Sequence, residues 1–205
     1  MATIPPLLDH LVYATPNLAA TVADFARRTG VTPAPGGAHV GLGTRNHLVG
    51  LGGSRYLEII GPDPQQPEPS GPRPFGVGDL TAPRMVTWAI RPRDLDATVD
   101  AARAAGHSTG PVRAMSRRRP DGTLLEWRLT TGESVVVPFL IDWGATGHPS
   151  SGLPGVTLLG MSAGTPDPAE VHRRLTALGT ELALAEGPDR LVARIGTPAG
   201  VLELS

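Results

Sequence analysis

Two residues, His10 and Glu58, have the side-chain types and settings that most directly suggest chemistry in this chain. Each lies in a short apolar stretch typical of a buried strand, His10 in residues 7–13 and Glu58 in residues 55–60. Burying an ionisable group is costly unless the group is paired, hydrogen-bonded or bound to a metal. One imidazole and one carboxylate make half of a divalent-metal site; alternatively, the two bond to each other or to nearby backbone. Both are therefore candidate catalytic residues and candidate metal ligands.

Three polar residues in a glycine-rich segment, His39, Arg45 and Asn46, are candidates for holding a substrate. The segment covers residues 36–53, and its glycines would let the backbone approach a ligand closely. Arg45 could hold a carboxylate or phosphate group with two N–H donors. The alternative is that His39 and Arg45 only cap a hairpin, as loop polar groups commonly do.

Four further candidate residues lie on strand-like stretches, or directly after them, later in the chain. Trp127 alternates with charged neighbours, so its ring should point inward, either as core packing or as the wall of a small-molecule pocket. Asp142 and Trp143 come directly after an apolar strand, where functional groups collect, and we expect them to bind substrate. His148, in the next loop, is a candidate acid or base at neutral pH; the alternative is an ordinary loop histidine.

The elements that must position these residues recur in the order β-α-β-β-β. We predict a first unit over residues 1–62, a proline-rich linker over 63–83, a second unit over 84–145 and a third over 146–205. Local similarity supports the repeat, because Tyr56-Leu57-Glu58-Ile59 aligns with Val201-Leu202-Glu203-Leu204. In the second unit the last strand is predicted over residues 134–141.

Composition excludes several classes of function. With 205 residues, 40% of them hydrophobic, the chain can bury a sizeable core. The formal net charge of -1 gives no reason to expect nucleic acid or an anionic membrane as a partner. The one basic cluster, Arg117-Arg118-Arg119, reads as a short solvated turn before Pro120-Asp121-Gly122.

Location and metal chemistry are also limited by the sequence. It has no cysteine, which excludes disulfides and thiolate ligands. We find no secretory signal and no apolar stretch long enough to span a membrane, so we expect a cytoplasmic protein.

Several segments together resemble a known superfamily. The repeated units, the opening Asp9-His10-Leu11-Val12 and the closing Tyr56-Leu57-Glu58-Ile59-Ile60 are similar to the vicinal oxygen chelate superfamily, which includes glyoxalase I, extradiol dioxygenases and antibiotic-sequestering proteins. A closer resemblance is to the glyoxalase-like domain family. It rests on residues 35–46, on Pro138-Phe139-Leu140-Ile141-Asp142-Trp143 and on His148-Pro149-Ser150.

This resemblance implies an α+β fold in which repeated βαβββ units form curved mixed sheets around a cavity, the whole chain making one glyoxalase-like domain. It implies metal ligands on the first and last strands of each unit, and His10 and Glu58 match those positions in the first unit. The matching positions are near Thr87 and Phe139 in the second unit and at Gly160 and Glu203 in the third, so only Glu203 offers another ligand. Either an atypical site recruits His39 or His148, or the cavity works without metal.

Two functions are consistent with these expectations. The first is an enzyme, a lyase, isomerase or oxygenase acting on a small oxygen-rich organic compound, with or without one divalent ion (Zn²⁺, Ni²⁺, Mn²⁺ or Fe²⁺). The alternative is a non-catalytic protein that binds a small molecule or sequesters an antibiotic in the same cavity. A homodimer is a further expectation, because units of this kind pair within one chain or between two.

Overall fold

The computed structural model describes residues 3–118, 121–132 and 134–205, and its elements follow the β-α-β-β-β order three times. The first unit consists of β1 (Leu8–Ala14), α1 (Leu18–Thr29), β2 (Ala34–His39), β3 (Thr44–Gly50) and β4 (Tyr56–Pro62). The second consists of β5 (Arg84–Ile90), α2 (Leu95–Ala104), β6 (Val112–Arg118), β7 (Leu124–Thr130) and β8 (Phe139–Asp142). The third consists of β9 (Thr157–Thr165), α3 (Pro168–Ala177), β10 (Ala183–Glu186), β11 (Arg190–Thr197) and β12 (Gly200–Leu204). The predicted α+β fold of repeated units with curved mixed sheets is confirmed.

The strands of the first two units close into one barrel, in the order β1-β4-β3-β2-β6-β7-β8-β5. In each of these two units the first strand lies beside the last and parallel to it, and β1 also pairs antiparallel with β5. The register sets His10 opposite Tyr56 and Val12 opposite Glu58. Because side chains alternate along a strand, His10 and Glu58 project from the same face, which is the inside of the barrel.

Each helix begins at a residue whose side chain caps it. Asn17, Asp94 and Asp167 accept hydrogen bonds from backbone N–H groups in the first turns of α1, α2 and α3. Buried residues of these helices share one apolar core with the outer face of the barrel strands, whereas the aromatic residues inside the barrel form a second cluster. Within the described residues, none of the helices has the length and apolar character needed to span a bilayer.

The third unit keeps the order of elements but not the order of strands. Its separate sheet runs β10-β9-β11-β12, so that β11 lies between the first strand, β9, and the last, β12. Glu203 therefore lies on an edge strand opposite Arg194, is exposed, and does not line the barrel cavity. Glu203, the one further ligand that the aligned units offered, does not lie beside Glu58, because β10 and not β12 pairs parallel with β9.

The strand predicted over residues 134–141 begins only at Phe139. The loop before Phe139 is bound by side chains of β5 and not by a ladder of backbone hydrogen bonds. Thr87 Oγ1 donates to the Ser134 carbonyl at 2.9 Å, and Trp88 Nε1 donates to the Val136 carbonyl at 2.7 Å. Pro138 has no N–H to donate to a ladder, which accounts for the late start of the strand. Glu133 lies outside the described residues.

Candidate active site

The barrel contains a cavity of about 800 Å³, within the usual range for small-molecule pockets. Most of its wall is apolar or aromatic, comprising Leu42, Tyr56, Ile60, Phe75, Val86, Met115, Trp127, Leu129, Phe139, Ile141 and Trp143. The buried polar residues that line it are His10, His39, Asn46, Glu58, Thr87, Arg117 and Thr130. Such a pocket suits an organic molecule with a large apolar body and few polar groups.

His10 is held at the cavity wall by a carboxylate behind it. Its Nδ1 lies 2.7 Å from Oδ1 of Asp9, whose side chain is fully buried. The imidazole stacks on Tyr56 with ring centroids 4.6 Å apart and meets Phe139 edge-on at 5.4 Å. Packing and the hydrogen bond together fix the ring, so that only Nε2 is directed towards Glu58, at 3.8 Å from its Oε2.

Asp9 is ionised in this setting. Burial alone would raise the pKa of Asp9, but hydrogen bonds from His10 and His148, together with the favourable electrostatics of these two neighbours, hold that pKa well below its usual range. Trp143 Nε1 also donates to the carboxylate at 3.2 Å, and Arg91 Nε lies 3.6 Å away. An ionised carboxylate only accepts hydrogen bonds, so His10 Nδ1 must be the donor and its Nε2 is the atom available for proton transfer.

His148 takes part in this support from behind and does not line the cavity. Its Nε2 lies 2.9 Å from Asp9 Oδ2, and its Nδ1 accepts from the backbone N–H of Ser150 at 3.3 Å. That acceptor role assigns the proton to Nε2, which donates to Asp9. The predicted catalytic histidine of the loop therefore orients Asp9, and through it His10.

Glu58 belongs to a second buried cluster on the opposite side of His10. Its Oε1 accepts from Asn46 Nδ2 at 2.5 Å and lies 3.7 Å from His39 Nε2. His39 is fixed in turn by Thr44 Oγ1, 3.0 Å from its Nδ1. Burial lowers the pKa of His39, Glu58 opposes this effect, and the charge of Arg117 adds to it. His39 is therefore neutral at pH 7 and a hydrogen-bonding partner rather than a cation.

Arg117 is a lining residue that the sequence-based interpretation missed. It is 3% exposed, and its Nη1 lies 3.5 Å from the amide oxygen of Asn46. The basic cluster is therefore not a solvated turn at this position, although Arg118 is exposed; Arg119 and Pro120 lie outside the described residues. Alternation along β6 was the signal available, because it turns Met115 and Arg117 inward.

The other predicted substrate-binding residues fall on both sides of the barrel wall. Trp127, Trp143, His39 and Asn46 line the cavity. The ring centroids of the two tryptophans lie 5.3 Å apart. Arg45 alternates with Asn46 on β3 and points outward, where its Nη1 lies 3.7 Å from Asp63 Oδ1. It is not among the residues that line the cavity.

Asp142 also lies away from the cavity lining. It accepts hydrogen bonds from the backbone N–H of Gly144 at 2.9 Å and from Arg128 at 3.0 Å. These two bonds lower the pKa of Asp142. The Asp142 carboxylate therefore stabilises the turn at the end of β8 and the side chain of Arg128.

A closed barrel built from two β-α-β-β-β units around a cavity is the architecture that the resemblance to the vicinal oxygen chelate superfamily implies. A model of the glyoxalase-like domain family matches residues 8–179, and the chain belongs to that family. No curated protein matches the chain.

Three solved structures are similar to the chain at low sequence identity. A hypothetical protein from Staphylococcus aureus is 13% identical, with a TM-score of 0.59, and the alignment covers 96% of this chain and 84% of that one. Methylmalonyl-CoA epimerase from Mycobacterium tuberculosis is 18% identical over 69% of this chain and 89% of its own, with a TM-score of 0.43. A variant of the Streptomyces coelicolor epimerase in complex with 2-nitronate-propionyl-CoA is 19% identical over 71% and 98%, also with a TM-score of 0.43.

Members of the superfamily that the chain resembles commonly use a divalent metal ion, which needs several ligand side chains around one point. His10 Nε2 and Glu58 Oε2, 3.8 Å apart, are two potential ligands. Within residues 3–118, 121–132 and 134–205, no group of three or more His, Cys, Asp or Glu side chains is arranged to hold a metal. The second oxygen of Glu58 is bonded to Asn46, and Arg117 adds positive charge beside that amide. Two ligands fall short of the three or four that a stable site requires, so the described residues do not form a metal-binding set.

Proposed function

We propose that this protein is an enzyme that transfers a proton at a carbon atom next to a carbonyl or carboxylate group of a small organic compound, an isomerase- or lyase-type reaction. The observation that carries the proposal is the hydrogen bond from His10 Nδ1 to ionised Asp9, which leaves Nε2 facing the cavity and Glu58. A positioned imidazole of this kind is the commonest general base in enzymes.

His10 is the base in this proposal. Its Nε2 takes the proton of the substrate's C–H bond, and the electron pair of that bond moves onto the adjacent carbonyl oxygen as an enolate. The imidazolium formed is stabilised by Asp9 at 2.7 Å and by Glu58 at 3.8 Å. Return of the same proton to a neighbouring atom of the substrate gives an isomer, and loss of a leaving group from the enolate gives a lyase product.

A non-catalytic binding protein, such as one that sequesters an antibiotic, is the second candidate. One observation favours it: the cavity wall is dominated by large apolar and aromatic side chains, including Trp127, Phe139 and Trp143. Such a wall binds a ligand by burial of apolar surface and does not itself require chemistry.

Hydrogen–deuterium exchange separates the two functions without knowledge of the natural substrate. A panel of oxo acids, hydroxy acids and other carbonyl compounds is incubated with the protein in D₂O, and exchange at the carbon next to the carbonyl is followed by NMR. We expect exchange for at least one compound that binds, and a reduction of about 10²- to 10⁴-fold in His10→Gln, because the general base is removed. The matched control is His172→Gln, an exposed histidine of α3. Binding without exchange for every ligand would instead support the sequestering function.

The same assay tests the finer expectation of one divalent ion at His10 and Glu58. Exchange is measured after treatment with EDTA and again with Zn²⁺, Ni²⁺, Mn²⁺ or Fe²⁺ added. Since the cavity offers two ligand side chains, we expect exchange to persist after chelation. Full loss on chelation, restored by one of these ions, would support the metal-assisted reaction instead.

A further inference from the structure

The buried cluster of Arg117, Asn46 and Glu58 carries an inference about the class of ligand. These residues come from three strands, β6, β3 and β4, yet one amide joins them. The Nδ2 of Asn46 donates to Glu58 Oε1 at 2.5 Å, and its Oδ1 lies 3.5 Å from Arg117 Nη1. The amide thus holds a cation on one side and an anion on the other, both inside the cavity wall.

Two glycines of β2 make room for this arrangement. A Cβ atom added at Gly36 would lie 2.1 Å from Asn46 Oδ1 and 2.9 Å from Arg117 Nη1. One added at Gly37 would lie 2.3 Å from the Arg118 carbonyl oxygen and 3.4 Å from Arg117 Nη1. Both distances at Gly36 are shorter than real Cβ contacts allow, so the placement of the guanidinium depends on the absence of a side chain there.

A guanidinium carries five N–H donors in a planar fork, so it can hold a carboxylate with two of them while keeping bonds to the protein. Burial strengthens such a contact, because little water competes with it. Besides Arg117 and Glu58, the charged residues that line the cavity within the described part of the chain are Arg73, Arg84 and Asp189, and each is more exposed than Arg117. Arg117 is consequently the buried cation best placed to orient an anionic ligand.

We propose that Arg117 anchors the carboxylate of an organic monocarboxylic acid whose apolar, ring-sized body packs against the aromatic wall. This inference rests on the proposed function, since it takes the same cavity as the substrate site. Glu58, one amide away from the guanidinium, favours a single negative charge over the double charge of a phosphate ester. Arg117 and His10 line the same cavity and are linked through Asn46 and Glu58, so a ligand held by Arg117 lies in the cavity that His10 faces.

Binding measurements test the anchor without any turnover. Calorimetry compares 3-phenylpropionate with its neutral amide and with phenyl phosphate. We expect the carboxylate to bind about 10- to 100-fold more tightly than the amide, the range expected for hydrogen bonds to a charged group, and more tightly than the phosphate. In Arg117→Gln the carboxylate should bind no better than the amide, while the affinity for the amide stays the same; Arg117→Lys should restore part of the preference.

The neighbouring exposed residue offers a matched control, because Arg118→Gln changes the same charge on the outer face of β6. Equal affinity of the wild-type protein for carboxylate and amide would overturn the inference, even if Arg117→Gln failed to fold. So would tighter binding of the phosphate, a preference that survives Arg117→Gln, or a failure of every carboxylate in the series to bind. An Arg117-dependent preference without hydrogen–deuterium exchange would support the anchor and overturn the catalytic function, so the two failures are distinguishable.

Discussion

At the scale of single residues, the sequence pointed to His10, Glu58 and several of their neighbours, but not to Asp9 or Arg117. His10 was predicted to need a partner, and that partner is its neighbour in sequence, Asp9. The two side chains project from opposite faces of β1, so the alternation of side chains along a strand argues against a contact between them. They meet because Nδ1, the ring nitrogen of His10 nearer the backbone, reaches the carboxylate of Asp9. Arg117 belongs to a run of three arginines, and a run of like charges predicts a solvent-exposed segment.

Replacement of Asp9 should lower the stability of the fold, because buried groups donate hydrogen bonds to its carboxylate. Asp9→Asn leaves donors from His10, Trp143 and His148 facing a neutral amide in a buried position. We expect a loss of about 3–5 kcal/mol in the free energy of unfolding, as for other buried ion pairs with one partner removed. Urea unfolding measures this loss, and Asp142→Asn, which is partly exposed, should cost less than about 1 kcal/mol.

The difference in unfolding free energy between wild type and Asp9→Asn should become smaller at low pH. The pKa of Asp9 is lower in the folded protein than in the unfolded chain, whose value is about 3.9. Its stabilising contribution is therefore fully present above about pH 4 and declines as the pH falls towards the folded pKa. The gap between wild type and Asp9→Asn should narrow below about pH 4, and a gap that widened there would contradict the assignment of an ionised Asp9.

At the scale of elements, the order of strands and helices could be predicted, but the pairing of strands could not. The β-α-β-β-β order of all three units follows from hydrophobic periodicity and turn residues, which are local properties. Pairing depends on contacts between distant segments, and the third unit differs from the first two only in that respect. The alignment of Glu203 with Glu58 was therefore sound as a sequence match and wrong as a structural equivalence.

The glycines of β2 are the element-scale feature that can be tested. Gly36→Ala forces Asn46 and Arg117 to move, so we expect about 1–3 kcal/mol of destabilisation from overpacking. We also expect the preference for carboxylate over amide to fall at least about 10-fold, one of the hydrogen bonds to charge being lost. Thermal unfolding and calorimetry provide the measurements. Gly71→Ala is the control, because its added Cβ would have no atom within 4 Å.

At the scale of the whole molecule, the third unit is joined to the barrel by backbone and core. The N–H of Leu158 donates to the Leu51 carbonyl at 3.2 Å, and Gly50 pairs with Gly155. Apolar residues of both sheets share one core cluster. These contacts support the proposal that the three units and the linker behave as a single domain; the homodimer stays a prediction, which light scattering can test.

Tryptophan fluorescence can reveal whether the third unit unfolds with the barrel. All three tryptophans, Trp88, Trp127 and Trp143, belong to the second unit. Leu175→Ala in α3 removes a fully buried side chain and should cost about 2–5 kcal/mol. If the chain is one cooperative domain, the transition reported by tryptophan should shift accordingly, whereas Leu159→Ala, 46% exposed, should barely move it. A tryptophan transition unaffected by Leu175→Ala would mean that the third unit unfolds by itself.

The support behind His10 also has a consequence for how the chain folds. Trp143 and His148, which hold Asp9, are 134 and 139 positions further along the chain. Contacts of such long sequence separation form slowly, because the loop they close is entropically costly. Until they form, His10 and Asp9 sit beside each other without fixed geometry. We therefore expect the geometry around His10 to form late in barrel closure, and the proposed activity to recover later than helical structure during refolding.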